Sequence, residues 1–182
     1  MPNITEFKSR LNGGVRPNLY EVDINFPSGV GDRVSLKEEG QYLCRSTSLP
    51  THSQGLIEVP FRGRFLKIPG DRTFEAWTAT FYNTSDFNLR AAFENWINIA
   101  NQTDENIGVV GGLDALFTDV TVRQLSKDSA GGKNSVLRTY RLVDAWPTSV
   151  GAINVAFDSN DALEEFDVEF QYQYLMQINL DQ

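Results

Sequence analysis

The chain has 182 residues, of which 22% are charged and 12% aromatic, and its formal net charge is −8. This length predicts one globular domain with a buried core, and the acidic balance excludes a protein that holds nucleic-acid phosphates with Lys and Arg. The sequence has no apolar run long enough to span a bilayer, and its first residues lack the apolar core of a signal peptide. We therefore expect a soluble protein that is not exported by a secretion signal.

The first third of the chain predicts one short helix and two strands. Residues 4–11 suit a short amphipathic helix, residues 19–26 alternate as in a half-buried strand, and residues 41–49 suit a second strand. The residues between the two strands, 27–40, are predicted to form a loop excursion.

The middle of the chain predicts a ribbon, a turn and a strand. Residues 56–68 are predicted to form an extended ribbon, because apolar and basic side chains alternate over residues 61–68, and Pro69-Gly70-Asp71 has the chemistry of a turn. Residues 73–81 are rich in Thr and aromatic side chains, which predicts a strand covered on both faces.

A helix follows at about residues 86–100, with Ser85 or Asp86 available to cap it. Its apolar side chains recur at helical spacing and form one stripe. The stripe consists of Leu89, Phe93, Trp96, Ile97 and Ala100. The first hundred residues therefore predict a sheet with one helix packed on it.

The remaining residues up to 157 predict a second loop excursion and three strands. The Gly-rich residues 101–117 suit the loop, and residues 118–125, 136–145 and 150–157 suit strands, with Gly131-Gly132 at a turn.

The last strand has the clearest alternation in the sequence, and we expect it to run unbroken for about 40 Å at about 3.3 Å per residue. Its apolar face is Phe166, Val168, Phe170, Tyr172, Tyr174 and Met176, and its polar face is Glu165, Asp167, Glu169, Gln171 and Gln173. The alternation predicts that Phe166 and Phe170 are buried beneath the helix or an opposing sheet.

Charge is distributed unevenly along the chain. Residues 158–182 contain seven acidic side chains and no Lys or Arg, whereas residues 61–72 carry Arg62, Arg64, Lys67 and Arg72 against Asp71. Either cluster can be a solvated face. In a protein that stacks on copies of itself, the two clusters would instead serve as complementary surfaces.

The residues do not predict a catalytic site or a cofactor site. The single histidine, His52, and the single cysteine, Cys44, cannot supply an ordinary zinc ligand set, and Cys44 is predicted to be a buried, inert thiol. Glu164, Glu165, Asp167 and Glu169 could suggest a carboxylate pair or a divalent-ion site. Their regular alternation favours a wetted sheet face instead.

Several short motifs, taken together and in order, resemble the tail tube proteins of contractile-tailed bacteriophages. The motifs are Arg16-Pro17-Asn18-Leu19-Tyr20, Ser48-Leu49-Pro50, Ile68-Pro69-Gly70-Asp71-Arg72-Thr73-Phe74 with Trp77, Trp146-Pro147-Thr148-Ser149-Val150-Gly151, and Asp158-Ser159-Asn160. The resemblance extends over residues 16–176 but assigns nothing to the excursions at 27–40 and 101–117.

The resemblance implies one tail-tube domain over residues 1–182 with a mainly β fold, a β-sandwich or barrel-like pair of antiparallel sheets with one flanking helix. It also implies a structural virion protein without enzymatic activity or cofactor. Six copies would form a ring, and rings would stack into a tube that conducts DNA without binding it specifically. Sheath, baseplate and tail terminator proteins would be its partners, with assembly in the host cytoplasm and no membrane insertion.

Within such a tube, two sets of residues gain predicted roles. The polar strand face, Glu165, Asp167, Glu169, Gln171 and Gln173, is predicted to line the lumen, where carboxylates repel phosphate. The ribbon is predicted to project and to dock on the next ring. Its docking residues are Phe61, Arg62, Arg64, Phe65, Leu66 and Lys67.

Two alternatives share part of this evidence. The tube protein of a type VI secretion system or of a phage-derived bacteriocin would have the same assembly, and gene neighbourhood would distinguish it. A monomeric β-sandwich binding module is a different class and would not assemble as its concentration rises.

Overall fold

The computed structural model describes residues 3–11, 14–103, 108, 112, 115–127 and 135–178. The predicted Gly131-Gly132 turn lies outside these residues. Within them the chain forms α1 (Ile4–Leu11), β1 (Tyr20–Ile24), α2 (Arg33–Leu43), β2 (Cys44–Thr47), β3 (His52–Phe61), β4 (Arg64–Phe74), β5 (Trp77–Tyr82), α3 (Asn88–Ala100), β6 (Thr118–Leu125), β7 (Val136–Val150), β8 (Glu165–Gln171) and β9 (Tyr174–Ile178). None of the helices in the described part of the chain is both long and apolar enough to cross a membrane.

The strands form two antiparallel four-stranded sheets that share β7, and a separate hairpin. The first half of β7 pairs with β6 and β9, and β6 pairs in turn with β1. The last part of β7 pairs with β8, which continues the second sheet through β5 to β2. Strands β3 and β4 pair only with each other. This arrangement confirms the predicted mainly β fold with a pair of antiparallel sheets.

Strand β7 passes between the sheets through a bulge at Asp144, whose φ of 53° lies in the left-handed region. The register shows the extra residue, because Thr118 pairs with Ala145 whereas Val120 pairs with Leu142. The carboxylate of Asp119 holds the bulge by accepting the Asp144 backbone N–H at 3.2 Å and the Arg141 Nε–H at 2.9 Å. Asp tolerates this backbone region better than most residues.

Helix α3 covers one face of the second sheet. Its residues Leu89, Ala92, Phe93 and Trp96 are buried. The Phe93 ring meets Phe166 at 6.4 Å and Phe170 at 5.8 Å between centroids, both edge to face. Such contacts stabilise a core beyond the area they bury. The predictions of a helix here and of buried Phe166 and Phe170 are confirmed, since these two side chains are only 2% and 0% exposed.

Helix α2 occupies most of the predicted 27–40 loop excursion, so that prediction is wrong. The described residues contain three helices, one more than the short helix at 4–11 and the flanking helix at about 86–100 that the sequence predicts. Asp32 caps α2 by accepting the Val34 N–H at 3.1 Å, and Leu36 is the one large side chain of the helix that is fully buried. The helix links the edge strands β1 and β2. Beside it, the Tyr20 hydroxyl donates to the backbone oxygen of Cys44 at 3.0 Å.

The predicted turn at Pro69-Gly70-Asp71 is also wrong, because these residues lie inside β4. The turn is at Arg62 and Gly63, with φ values of 45° and 81°, which is the two-residue hairpin geometry whose twist matches the strands. Gly70 faces a bulge at Gly55, where a Cβ at Gly70 would lie 3.1 Å from a Gly55 backbone carbon.

Four predicted strands differ in the structure, three in their bounds and one in its burial. The strand at 41–49 is shortened to β2, and residues 150–157 leave β7 at Val150 and continue without strand structure. The last strand is broken at Tyr172, and Tyr174 and Met176 are exposed. The Gln173 N–H donates to the Val143 oxygen at 3.0 Å as the chain crosses to the first sheet beside the β7 bulge. Strand β5 is buried on one face rather than two.

The aromatic core gives the first prediction. Replacing Phe166 or Phe170 with Ala removes a ring that α3 covers, so we expect the free energy of unfolding to fall by about 3–5 kcal/mol. Chemical denaturation of the unassembled protein measures this loss. The matched control is Phe61→Ala, because Phe61 is 67% exposed and its loss should change stability little. Equal effects from the buried and exposed rings would contradict the assigned packing.

Candidate assembly surfaces

The outer face of the second sheet is polar over the full length of β8. Phe166, Val168 and Phe170 point to α3, so the alternate residues Glu165, Asp167, Glu169 and Gln171 point away from it. Across the strand pair, these carboxylates face Tyr82, Thr80 and Thr78 of β5 in register. We call this surface the polar sheet face: Glu165, Asp167, Glu169, Gln171, Thr78 and Thr80.

The sheet brings a cation to the polar sheet face that sequence spacing did not show. Arg45 of β2 forms an ion pair with Glu165, and its guanidinium lies 6.0 Å from the centre of the Tyr82 ring. Asp167 accepts the Thr80 hydroxyl at 2.7 Å. Three carboxylates against one arginine leave the four strands with two excess negative charges on this face.

Gln173 does not belong to the polar sheet face. It lies at the crossover between β8 and β9, where its backbone N–H bonds to Val143. The structure therefore groups four of the five residues that were predicted to share this face. The break at Tyr172 separates the fifth from them.

The hairpin of β3 and β4 is exposed along all of β3 and most of β4, and it pairs with no other strand among the described residues, so the ribbon projects from the sheets as the sequence predicts. Its turn carries Phe61, Arg62, Arg64, Phe65, Leu66 and Lys67, which we call the hairpin tip. Within the tip, the Arg62 guanidinium lies 5.4 Å from the centre of the Phe61 ring, and Lys67 lies 3.7 Å from Glu58 on the facing strand. Among the described residues, Arg62 and Arg64 form no salt bridge.

Both faces of the hairpin carry large apolar side chains without cover. The register places Ile57 and Ile68, Val59 and Leu66, and Phe61 and Arg64 on one face. Leu56 and Phe65 lie on the opposite face, and each of the seven apolar side chains in these two sets is 40% exposed or more. An isolated two-stranded hairpin is at best marginally stable in water. We therefore expect the hairpin to pack against a surface of another molecule.

The base of the hairpin is fixed to the second sheet. The Trp77 indole N–H donates to the Ser48 oxygen at 2.8 Å, and the Tyr172 hydroxyl donates to the Thr51 oxygen at 3.3 Å. The rings of Phe74 and Tyr172 also meet at 5.8 Å. These contacts set the direction in which the hairpin leaves the domain.

His52 and Cys44, the two residues considered as possible metal ligands or catalytic groups, do not lie together in the structure. His52 is the first residue of β3 and faces Phe74, whereas Cys44 begins β2 and is half-buried. Burial raises the pKa of the Cys44 thiol to about 12. The described residues contain no group of His, Cys, Asp and Glu side chains arranged to hold a metal ion.

The profile of the family described as phage tail tube protein matches residues 15–177. The chain is 31% identical over 161 residues to the tail tube protein gp19 of Enterobacteria phage T4, covering 87% of this chain and 89% of that protein. It is 30% identical over 175 residues to the tail tube protein of Serratia phage KSP90, covering 94% and 95%.

The fold is also similar to a chain of the sheath–tube complex of PVC, an extracellular contractile injection system in its extended state. The TM-score is 0.60 at 17% identity, with 94% of this chain and 97% of that chain covered. At this identity the likeness concerns the fold alone.

The cysteine environment gives the second prediction. Because the thiolate is the reactive form and the Cys44 pKa is raised to about 12, the native protein should react with iodoacetamide at pH 8 far more slowly than the unfolded chain. Mass spectrometry of alkylated protein measures the rate. A Val34→Cys variant is the control, because position 34 is exposed on α2 and its thiol should react quickly. Equal rates at positions 44 and 34 would refute the burial of Cys44.

Proposed function

This chain belongs to the phage tail tube protein family, and we propose that six copies form a ring and that rings stack into a tube that conducts DNA. Family membership makes it a structural component of a virion tail and not an enzyme. The observation that carries the proposed stacking is the hairpin of β3 and β4. Its exposed apolar side chains need a partner surface, and a second copy of the chain supplies one.

The second sheet supports ring closure. Its two outer strands, β2 and the last part of β7, each have one edge without a strand partner among the described residues. An unpaired edge is a template for pairing with another chain. Six copies that pair edge to edge would form one barrel of about 24 strands. At a spacing near 4.8 Å and a tilt near 45°, its backbone diameter is roughly 50 Å, which admits duplex DNA.

The polar sheet face suits the inside of that barrel. Helix α3 occupies the other face of the sheet, so closure would turn the carboxylates of Asp167 and Glu169 toward the bore. Six copies would contribute about 12 excess negative charges per ring. Close-range repulsion, screened beyond about 8 Å at physiological salt, would centre the DNA and keep it from adhering.

The proposed tube would assemble in the host cytoplasm inside a tail sheath, between a baseplate and a tail terminator. The fold likeness to the PVC sheath–tube complex is consistent with a sheathed tube. The tube of a type VI secretion system or phage-derived bacteriocin would assemble in the same way. The phage tail is preferred because the relatives at 30% identity or more are phage tail tube proteins.

The hairpin gives the third prediction. Deleting residues 63–67 should leave a folded subunit that no longer forms stacked tubes, because the deletion removes four of the six residues of the hairpin tip and spares every residue buried in the core. Negative-stain electron microscopy and sedimentation measure assembly, and circular dichroism measures folding.

Phe65→Ser with Leu66→Ser should give the same loss of tubes, whereas the control Val34→Ser removes an equally exposed apolar side chain from α2 and should assemble. Tubes of normal length from the deletion variant would rule out stacking through the hairpin.

The polar sheet face gives the fourth prediction. Asp167→Lys with Glu169→Lys should fold, because both side chains are on the wetted face and the Arg45–Glu165 pair is left intact. Phage that carry this tube should eject DNA slowly or incompletely, and added salt should relieve the defect because it screens the attraction to phosphate. The neutral control, Asp167→Asn with Glu169→Gln, should have a smaller effect. DNA release at the normal rate from the double-Lys tube would contradict the lumen assignment.

A further inference from the structure

The hairpin and the loop between β7 and β8 lie at opposite ends of the second sheet. The hairpin leaves the sheet where β2 ends at Thr47 and returns where β5 begins at Trp77. In the β5–β8 register, Trp77 pairs with Phe170 and Tyr82 pairs with Glu165, so β8 begins at the far end. Residues 151–164, which we call the end loop, join Val150 to Glu165 at that far end.

The end loop combines exposed apolar side chains with acidic side chains, and it contains no basic residue. Val155 is 80% exposed, Leu163 is 72% exposed, and Phe157 projects fully into solvent. The loop also carries Asp158, Asp161 and Glu164 and has no Lys or Arg. A surface that exposes this much apolar side chain beside carboxylates is suited to a partner that is both apolar and cationic.

The surface around the end loop contains a groove and a pocket. A groove of about 270 Å³ runs between the end loop and β8, and its lining includes Ile153, Leu163, Glu165 and Asp167. An apolar pocket of about 230 Å³ is lined by Val155, Ala156 and Phe157. The groove therefore presents apolar walls and carboxylates together.

The hairpin tip has the complementary chemistry. Phe61, Phe65 and Leu66 are each at least 60% exposed, and Arg62 and Arg64 have no carboxylate partner among the described residues. Aromatic and Arg side chains are the residue types that anchor interfaces most strongly. The tip offers large apolar groups and two cations, and the end loop offers apolar walls and at least two carboxylates.

We propose that the end loop of each copy is the receptor for the hairpin tip of a copy in the next ring. The inference rests on the proposed stacking and names the surface that receives the hairpin. Because tip and receptor are different surfaces at opposite ends of one sheet, the contact is head to tail. A head-to-tail contact leaves a free tip at one end and a free receptor at the other, and so propagates into an open filament.

A charge exchange between the two surfaces tests the pairing. Arg62→Glu with Arg64→Glu should raise the protein concentration needed for tubes by roughly tenfold or more, and Asp158→Arg with Asp161→Arg should do the same, since each change places like charges in contact. Combining all four changes in one chain should restore assembly toward the wild-type concentration. Sedimentation of tubes across a concentration series measures each value. Failure of the combined variant to recover would overturn the charge pairing.

Crosslinking tests proximity and separates this inference from the stacking on which it rests. Pro60→Cys on the hairpin and Ser159→Cys on the end loop, mixed as two single variants, should give covalent dimers with a short bis-maleimide only in assembled tubes. The matched control pairs Pro60→Cys with Thr78→Cys, which is exposed on the polar sheet face near the hairpin's own base, and should give none. Native Cys44 can stay, because its thiol pKa of about 12 keeps it unreactive.

The two experiments together distinguish failure of stacking through the hairpin from failure of the receptor assignment. If deletion of residues 63–67 leaves tubes intact, stacking through the hairpin fails and the receptor assignment fails with it. If that deletion abolishes tubes but the 60–159 pair does not crosslink in wild-type-like tubes, stacking stands and the end loop is not the receptor. Crosslinking of the 60–159 pair with none from the 60–78 pair supports both.

Discussion

The packing of α3 against one face of the second sheet is the constraint from which the other surfaces follow. Phe93 and Trp96 of the helix meet Phe170 at 5.8 and 6.3 Å, and this aromatic contact fixes which side of every strand in the sheet is buried. Because side chains alternate along β8, burying Phe166, Val168 and Phe170 commits the carboxylates between them to the opposite face. The polar sheet face is thus a consequence of the core.

The bulge in β7 lets this strand take part in both sheets, so that its last residues form an outer strand of the second sheet. By crossing at Asp144, β7 adds its last residues to the second sheet, which then has four strands and, among the described residues, two edges without a strand partner. Ring closure would use the edges, whereas stacking would use the ends, where the hairpin and the end loop lie. Lateral and axial contacts therefore fall on different parts of one sheet, whereas Glu165 and Asp167 belong both to the polar sheet face and to the groove beside the end loop.

Much of this arrangement could be predicted from local patterns. The helical stripe around Phe93 predicts α3, and the alternation around Phe166 predicts the buried face of β8. Both patterns are set by burial alone, so they can be recognised in the sequence. Helix α2 was not predicted because it buries one large side chain, Leu36, and contains Gly40. The hairpin turn was misplaced because Arg62 adopts a positive φ that its residue type disfavours, while Pro69-Gly70-Asp71 carries ordinary turn residues. The Arg45–Glu165 pair joins residues 120 apart in sequence and depends on strand order, which no short motif specifies.

A helical reconstruction of tubes assembled from this protein, by electron cryomicroscopy, tests the central claim most directly. The account predicts six subunits per ring, the polar sheet face on the inner wall, and density for each hairpin tip against residues 151–164 of a subunit in the adjacent ring. A tube with α3 on the inner wall and Asp167 on the outer surface would contradict the account. So would hairpins that contact only subunits of their own ring.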